Sequence, residues 1–306
     1  MSGVLRERGG SQRAILVIHP GALGDVLQAV PALRALTALG HRLTFAGQPR
    51  IGELLEGLGV VRARTSFDTF GLEALFVEGP PPVSLRSRLG QFPRAVSWFG
   101  ARDPCYRRQL AALIPASIVA APVPKAGALR TVWEYLVDTL APWCPLGTID
   151  ASSLLVPEGW RAAARAALTA VGADLARPFL LAHPGAGSPW KQSPASRFAR
   201  VLERLASGGN LAVILHEGPA DHTAAETLAS ALGEPTIRLV EPSLPELAGA
   251  LSLAASYLGS DSGVSHLAAS VGTPSVILYP PETRRRWAPW SPSAVPLGVG
   301  ADGDPS

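Results

Sequence analysis

Tyr257-Leu-Gly-Ser-Asp261-Ser262-Gly263-Val-Ser265-His266-Leu-Ala-Ala-Ser-Val-Gly272-Thr-Pro274 reads as a short buried strand that stops abruptly and hands polar groups to the first turn of a helix. Asp261 or Ser262 is placed to cap that helix, Gly263 lets a ligand approach the backbone, and the first-turn amides carry partial positive charge. Such an end suits a phosphate. His266 follows Gly263 by one helical turn, so its ring can share the crevice. Taken alone, the segment fits an ordinary capped helix with a histidine packed beneath it equally well.

A second stretch points the same way. Pro178-Phe-Leu-Leu-Ala-His183-Pro184-Gly185-Ala186-Gly187-Ser188-Pro-Trp-Lys191-Gln-Ser193-Pro194 is an apolar strand, a Gly-rich loop, a lysine, and a helix start marked by Ser193 and Pro194. Amides around Gly185, Ala186, Gly187 and Ser188 can wrap an anion, and Lys191 follows as a mobile point charge. Open α/β sheets bind ligands at the carboxyl ends of their strands, so two such loops point to one nucleotide-like diphosphate held between them.

The rest of the chain alternates in the same manner. Strands are expected at Ala14 to Ile18, Arg42 to Ala46 and Val60 to Arg62, with helices at Asp25 to Leu39 and Ile51 to Leu58. Val26, Val30, Leu33 and Leu36 recur at helical spacing and form a sheet-facing stripe. Further strands are expected at Ala95 to Trp98 and Ser117 to Ala121, and a helix at Leu129 to Leu140. Phe67 to Gln91 is less regular, with Gly79-Pro-Pro-Pro82 at its centre, and is read as a substrate-side loop. The second half repeats the alternation, with strands near Phe179, Leu211, Thr236, Ser256 and Ser275. This is an α/β fold of parallel sheets covered on both faces. The proline-containing stretch Pro142 to Glu158 marks the domain boundary.

Composition bounds the function. The chain has 306 residues, 47 % of them hydrophobic, enough for two cores. Net charge of +3 with 17 % charged residues gives no nucleic-acid footprint spread over the surface. Basic residues are grouped locally, at Arg62 and Arg64, at Arg102, Arg107 and Arg108, and at Arg284 to Arg286. Such groups are commonly solvated faces, and the Arg62 and Arg64 pair is also a candidate reader of an anionic ligand. Cys105 and Cys144 are too few for a disulfide framework or a metal site. The polar leader Met1 to Arg13 and the short apolar stretch after it fit neither a signal peptide nor a spanning helix, so a cytosolic protein is expected.

His183-Pro-Gly-Ala186 with Lys191, followed by Asp261-Ser-Gly263 with His266, resembles the ADP-heptose:lipopolysaccharide heptosyltransferases, glycosyltransferase family 9. The N-terminus agrees. Ile15-Leu-Val-Ile-His19-Pro-Gly21-Ala22-Leu-Gly24-Asp25-Val-Leu-Gln-Ala-Val-Pro31-Ala-Leu-Arg34 is similar to that family's opening strand, its Leu-Gly-Asp loop, and its helix carrying a proline and Ala-Leu-Arg. The resemblance covers roughly residues 14 to 290. It implies a GT-B arrangement of two Rossmann-like domains with parallel sheets facing a central cleft. Residues 1–155 would bind the acceptor and 156–306 the nucleotide sugar. The implied reaction is inverting, metal-independent transfer of heptose from ADP-heptose to a lipopolysaccharide-core or related glycan, with the donor as substrate and no cofactor. An anionic glycan or glycolipid acceptor and peripheral association with the cytosolic face of the inner membrane go with it.

On residues alone Asp25 is either a helix cap or the group that accepts the acceptor's proton; the resemblance implies the general base. Gly21, Ala22 and Gly24 around it, with Arg62 and Arg64, are the acceptor-side candidates. Lys191 is the second catalytic candidate, neutralising the leaving phosphate. The donor-side candidates are Gly185 to Ser188, Lys191, His222, Asp261, Ser262, Gly263 and His266. Asp261 has three open partners: Lys191, a ribose, or the helix amides. The strand-end loops carry no close carboxylate pair of the Asp-x-Asp kind used by metal-dependent transferases; the spacing occurs at Asp302-Gly-Asp304, outside those loops.

The sequence departs from the family pattern in three places. His19-Pro-Gly-Ala22 stands where Arg-x-Ser-Ser is often found, His222 stands near an expected glutamate, and the tail Trp287 to Pro296 runs to Ser306 without a returning helix. These departures leave open a nucleotide-sugar-binding protein without turnover. A GT-B-like sugar-nucleotide epimerase would want further acidic and histidine residues, and a nicotinamide dehydrogenase wants a Gly-x-Gly-x-x-Gly that the first loop lacks.

Overall fold

The computed structural model describes residues 13–144, 149–208, 211–233 and 236–299. The polar leader before Arg13, the middle of the proline-containing junction and the chain end lie outside them. Contacts divide the chain into Met1–Asp150 and Ala151–Ser306, a division that falls inside the junction read from its prolines.

The first unit runs β1 (Ala14–Ile18), α1 (Leu23–Leu27), α2 (Val30–Ala38), β2 (Arg42–Gly47), α3 (Pro49–Gly57), β3 (Ala63–Ser66), α4 (Phe67–Phe70), α5 (Val83–Leu89), β4 (Arg94–Ser97), α6 (Pro104–Leu113), β5 (Ala116–Val119) and α7 (Val132–Asp138). Its five strands are parallel in the order β3-β2-β1-β4-β5. The central strand β1 is buried from Ile15 to Ile18, as a strand covered on both faces must be.

Three local expectations are corrected here. The single helix expected over Asp25 to Leu39 is two helices with a turn at Gln28 and Ala29. Pro31 sits in the first turn of α2, where its missing N–H cannot bond to the carbonyl of Leu27. The strand expected at Val60 to Arg62 lies slightly later, at β3, after buried Val60 and Val61. Phe67 to Gln91 is no open loop. It folds as α4, a 3₁₀ turn at Leu72–Phe76 and α5, and buries Phe70, Leu72, Leu75, Leu85 and Leu89 in the unit's core with Leu16, Ile18 and Tyr106. The stretch between the 3₁₀ turn and α5, residues 77–82, stays outside regular structure.

The second unit runs α8 (Glu158–Ala170), β6 (Phe179–His183), a 3₁₀ turn (Pro189–Lys191), α9 (Ala195–Ser207), β7 (Ala212–Glu217), α10 (His222–Leu232), β8 (Ile237–Val240), α11 (Leu244–Leu253), β9 (Ser256–Ser260), α12 (Gly263–Ser270), β10 (Ser275–Tyr279), α13 (Pro281–Trp287) and β11 (Ala294–Gly298). All six strands are parallel, ordered β11-β10-β9-β6-β7-β8. Counted from its own first strand this is 3-2-1-4-5-6, the doubly wound nucleotide-binding order. Leu180, Ala182, Phe198, Leu202, Leu215 and Leu228 form its core. In each unit the chain reverses its direction of winding between the first and fourth strands, where a doubly wound sheet opens a crevice.

Candidate active site

In the second unit β6 and β9 are neighbours, with His183 opposite Gly259. The loops that leave them therefore start side by side at the switch point. Ser260 ties them together: its Oγ donates to the Pro184 carbonyl at 3.2 Å and accepts from the Ser193 N–H at 3.3 Å. Lys191, on the 3₁₀ turn, brings its Nζ to 3.0 Å from Asp261 Oδ2. That oxygen receives no aligned hydrogen bond, so the contact is an ion pair by proximity. Of the partners left open for Asp261, the structure places Lys191 against it. The carboxylate is 4 % exposed and the lysine side chain 23 %, so the ammonium faces both its counter-ion and solvent.

The start of α12 is fixed from beneath. Ser262 is the N-cap, and its Oγ accepts from the Ser265 N–H at 3.2 Å. Ser265 Oγ donates to the Ser260 carbonyl at 2.6 Å and meets the Tyr257 hydroxyl at 2.8 Å. Gly259 permits this, because a Cβ there would lie 2.1 Å from the Tyr257 hydroxyl. The amides of Gly263 and Val264 then open the helix with the orientation an anion needs. His266 lies buried one turn on. Burial pushes its pKa down to about 4, with Asp261 opposing and Lys191 reinforcing the shift. It is a neutral imidazole at pH 7 and contributes no positive charge to a phosphate.

The Gly-rich loop divides its glycines between two tasks. Gly187 has open space where a side chain would be, as a ligand-facing position requires. Gly185 does not. A Cβ there would lie 2.1 Å from Asp221 Oδ1 and 2.8 Å from His183 Cε1, so the missing side chain makes room for a carboxylate of the protein itself. Asp221 is the N-cap residue of α10 yet accepts no capping hydrogen bond. Its carboxylate packs between Gly185 and Gly218 instead, 3.8 Å from His183 Nε2. His183 and His216 face each other at 3.0 Å through their Nδ1 atoms, and burial holds both below the ordinary histidine value. Asp221 was not among the sequence candidates; the signal was an Asp preceded by Gly218 directly after a strand. His222, which was a candidate, points outward with 75 % of its side chain exposed and contacts Glu217 Oε1 at 2.7 Å. Among the described residues no His, Cys, Asp or Glu cluster has the geometry to hold a metal ion.

In the first unit the equivalent switch point lies between β1 and β4, with Ile18 opposite Ser97. The loop leaving β1 is His19-Pro-Gly-Ala22, the same tetrapeptide that leaves β6 as His183-Pro-Gly-Ala186. His19 Nδ1 accepts from the Gly21 N–H at 3.2 Å, and the ring tilts against Trp98 at 5.9 Å. Burial pushes its pKa to about 4. Gly21 is sterically required, since a Cβ would meet His19 Cε1 at 2.7 Å and Asp25 Cβ at 3.1 Å. Its carbonyl accepts from Gln48 Nε2 at 3.1 Å.

Asp25 is not the N-cap of α1. That position is Ala22, and Asp25, in the first turn, reaches back so that its Oδ2 accepts the Ala22 N–H at 3.2 Å. This is one half of a capping box; the other half cannot form, because the methyl of Ala22 is no acceptor. Gly24 lies within α1. The structure thus gathers Gly21, Ala22, Gly24 and Asp25 at one sheet end but not the two arginines. Arg64 lies within β3 and pairs with Glu56 of α3 at 3.0 Å. Arg62 precedes β3 and donates its N–H to the Leu43 carbonyl, near the amino-terminal end of β2 and so at the opposite end of the sheet.

The family model of glycosyltransferase family 9 (heptosyltransferase) matches residues 152–304, the unit that carries Lys191 and Asp261. Lipopolysaccharide heptosyltransferase 3 of Escherichia coli is 26 % identical over 132 residues, 42 % of this chain and 38 % of that protein, so the match spans well under half of the relative's length. Among solved structures, a family 9 glycosyl transferase from Veillonella parvula superposes with a TM-score of 0.72 at 18 % identity, over 94 % of this chain and 86 % of that one. ADP-heptose lps heptosyltransferase II of E. coli gives 0.70 at 20 % identity, over 95 % and 92 %. These likenesses establish the fold along nearly the whole chain, and with the family match they show that this protein belongs to glycosyltransferase family 9.

Proposed function

We propose that this protein moves a sugar, in the first instance heptose from ADP-heptose, onto a lipopolysaccharide-core or related glycan with inversion at the anomeric carbon. The observation that carries the reading is Lys191 beside Asp261 where the loops of β6 and β9 meet. In this proposal the second unit binds the donor. The Lys191 ammonium, the amides from Gly185 to Ser188 and the first amides of α12 receive the diphosphate. The acceptor hydroxyl loses its proton to the Asp25 carboxylate. Its oxygen forms a bond to the anomeric carbon as the bond from that carbon to the phosphate oxygen breaks, and ADP leaves with the electron pair. The charge that develops on the leaving phosphate is met by Lys191, so no divalent ion is assigned to the step.

The acceptor is taken to be an anionic glycan or glycolipid, met by a cytosolic protein in peripheral contact with the inner membrane face. No helix among the described residues is long and apolar enough to cross a membrane. The deciding experiment follows ADP release from ADP-heptose with and without core-oligosaccharide acceptors, in the presence and absence of EDTA. Acceptor-dependent release that survives the chelator supports the proposal. Tight ADP binding with no release under any acceptor would leave a binding protein, and release abolished by EDTA and restored by magnesium would overturn the metal-independent step.

A further inference from the structure

The lysine of the donor site is bracketed by aromatic rings. Lys191 Nζ lies 5.7 Å from the ring centroid of Trp190 and 5.6 Å from that of Trp287, both within cation–π range. The two indoles differ in setting. Trp287 is the last residue of α13, whose end is anchored by the Tyr279 hydroxyl donating to the Trp287 carbonyl at 3.1 Å. Trp190 stands on the short 3₁₀ turn beside Lys191 and is 58 % exposed. An exposed tryptophan next to an ion-paired lysine presents a large apolar ring surface to solvent.

We propose that Trp190 is a donor-contacting residue whose indole packs against the sugar ring bonded to the diphosphate, and that Trp287 is a positioning residue that holds Lys191. This rests on the donor-site reading above. A phosphate oxygen on the ammonium would sit a hydrogen bond's length from Nζ, which puts the group attached directly to that phosphate within reach of the Trp190 face. That group is a sugar on either side of the diphosphate. The nucleobase, a whole ribose further away, is not the ring in question. The C–H face of a sugar is apolar and mildly positive, the complement of an indole face. Trp287 works differently: with Asp261 opposite, it confines the ammonium to one place and leaves Trp190 free to turn to the ligand.

Calorimetric titration of the full chain with inorganic pyrophosphate, ADP and ADP-heptose separates these roles. Trp190→Ala should leave pyrophosphate affinity within about twofold of wild type and weaken ADP-heptose about three- to tenfold, the range of one aromatic face, with Trp190→Phe restoring most of the loss. Equal weakening of ADP identifies the ring as ribose; weakening of ADP-heptose alone identifies the transferred sugar. Trp287→Leu should instead weaken all three ligands together, pyrophosphate included, with rescue by Trp287→Phe. Pyrophosphate weakened as much as ADP-heptose in Trp190→Ala, or ADP-heptose affinity unchanged, would overturn the assignment. Wild-type protein that binds neither ADP nor ADP-heptose would remove the donor reading itself and this inference with it.

Discussion

Replacing Lys191 with alanine should produce two effects of different origin. The ammonium stands 3.0 Å from a carboxylate that is only 4 % exposed. Its removal leaves Asp261 buried opposite nothing. Breaking a fully buried pair costs about 3–5 kcal/mol, and an exposed one about 1 kcal/mol or less. With the lysine itself 23 % exposed, we expect an intermediate loss of about 2 kcal/mol, or a fall in Tm of about 4–8 °C for a unit of this size. Separately, the loss of a charge-assisted hydrogen bond to phosphate, about 1.5–3 kcal/mol, should weaken ADP by about ten- to hundredfold. The double variant Lys191→Ala with Asp261→Asn tells the two apart. Removing the orphaned charge should recover most of the stability and none of the affinity. Calorimetry with ADP and urea melts are the assays. An ADP Kd within about twofold of wild type in Lys191→Ala, or a double variant no more stable than the single one, would refute the reasoning.

Asp25→Asn keeps an oxygen to accept the Ala22 N–H, so stability should change by less than about 1 kcal/mol while kcat falls by about 10²–10⁴-fold; a normal rate with a lowered Tm would reduce Asp25 to a helix-start contact. Gly185→Ala forces a methyl into the Asp221 carboxylate and should cost about 1–3 kcal/mol, a loss that Asp221→Ala in the same chain should reverse in part, since the 2.8 Å approach to His183 Cε1 remains. If that second change adds a further loss, the fit between Gly185 and Asp221 is not the cause. Burial holds His19, His183, His216 and His266 below the usual histidine value, His19 and His266 at about 4. The unfolded chain therefore takes up protons below pH 6.5 that the folded protein refuses, so stability is full above that pH and falls as pH drops toward 4. Urea midpoints at pH 7.5 and 5 check this, with a smaller fall expected for His266→Leu; identical midpoints for wild type at both values would contradict it.

The parts of the fold legible in the sequence were those with a strong period or a sharp stop. Phe179 to His183 and Tyr257 to Ser260 are apolar runs cut off by glycine, proline and capping residues, so the strands, their loops and the pairing of Lys191 with Asp261 could all be approached from the residues. Phe70, Leu72, Leu75, Leu85 and Leu89 were harder: they fill the core from three short helical pieces, none long enough to show a period, and the intervening prolines looked like a loop. Asp25 sits in the first turn of α1 rather than at its cap because Ala22, a residue with no capping group, takes the cap position. The linear reading picks His222, whereas the space above Gly185 admits Asp221 and the histidine begins a helix facing outward. Trp287 could not be found from the sequence at all. Nothing in the tail indicates that α13 delivers its last side chain to a lysine almost a hundred residues earlier.

The strand order has a consequence for how the protein must be made. β6 is the first strand of its unit to leave the ribosome, yet it ends up in the middle of the sheet, between β7 and β9. One neighbour follows after a single helix. The other, Ser256–Ser260, emerges only after three helices and two strands have been synthesised. Until then one edge of an almost wholly apolar strand has no partner, and such edges attract other chains. The loop carrying Lys191 is thus translated long before the carboxylate that steadies it. Nascent chains halted before β9 should be poor at refolding and prone to associate, and the sheet end that brings Lys191 to Asp261 is among the last features to become complete.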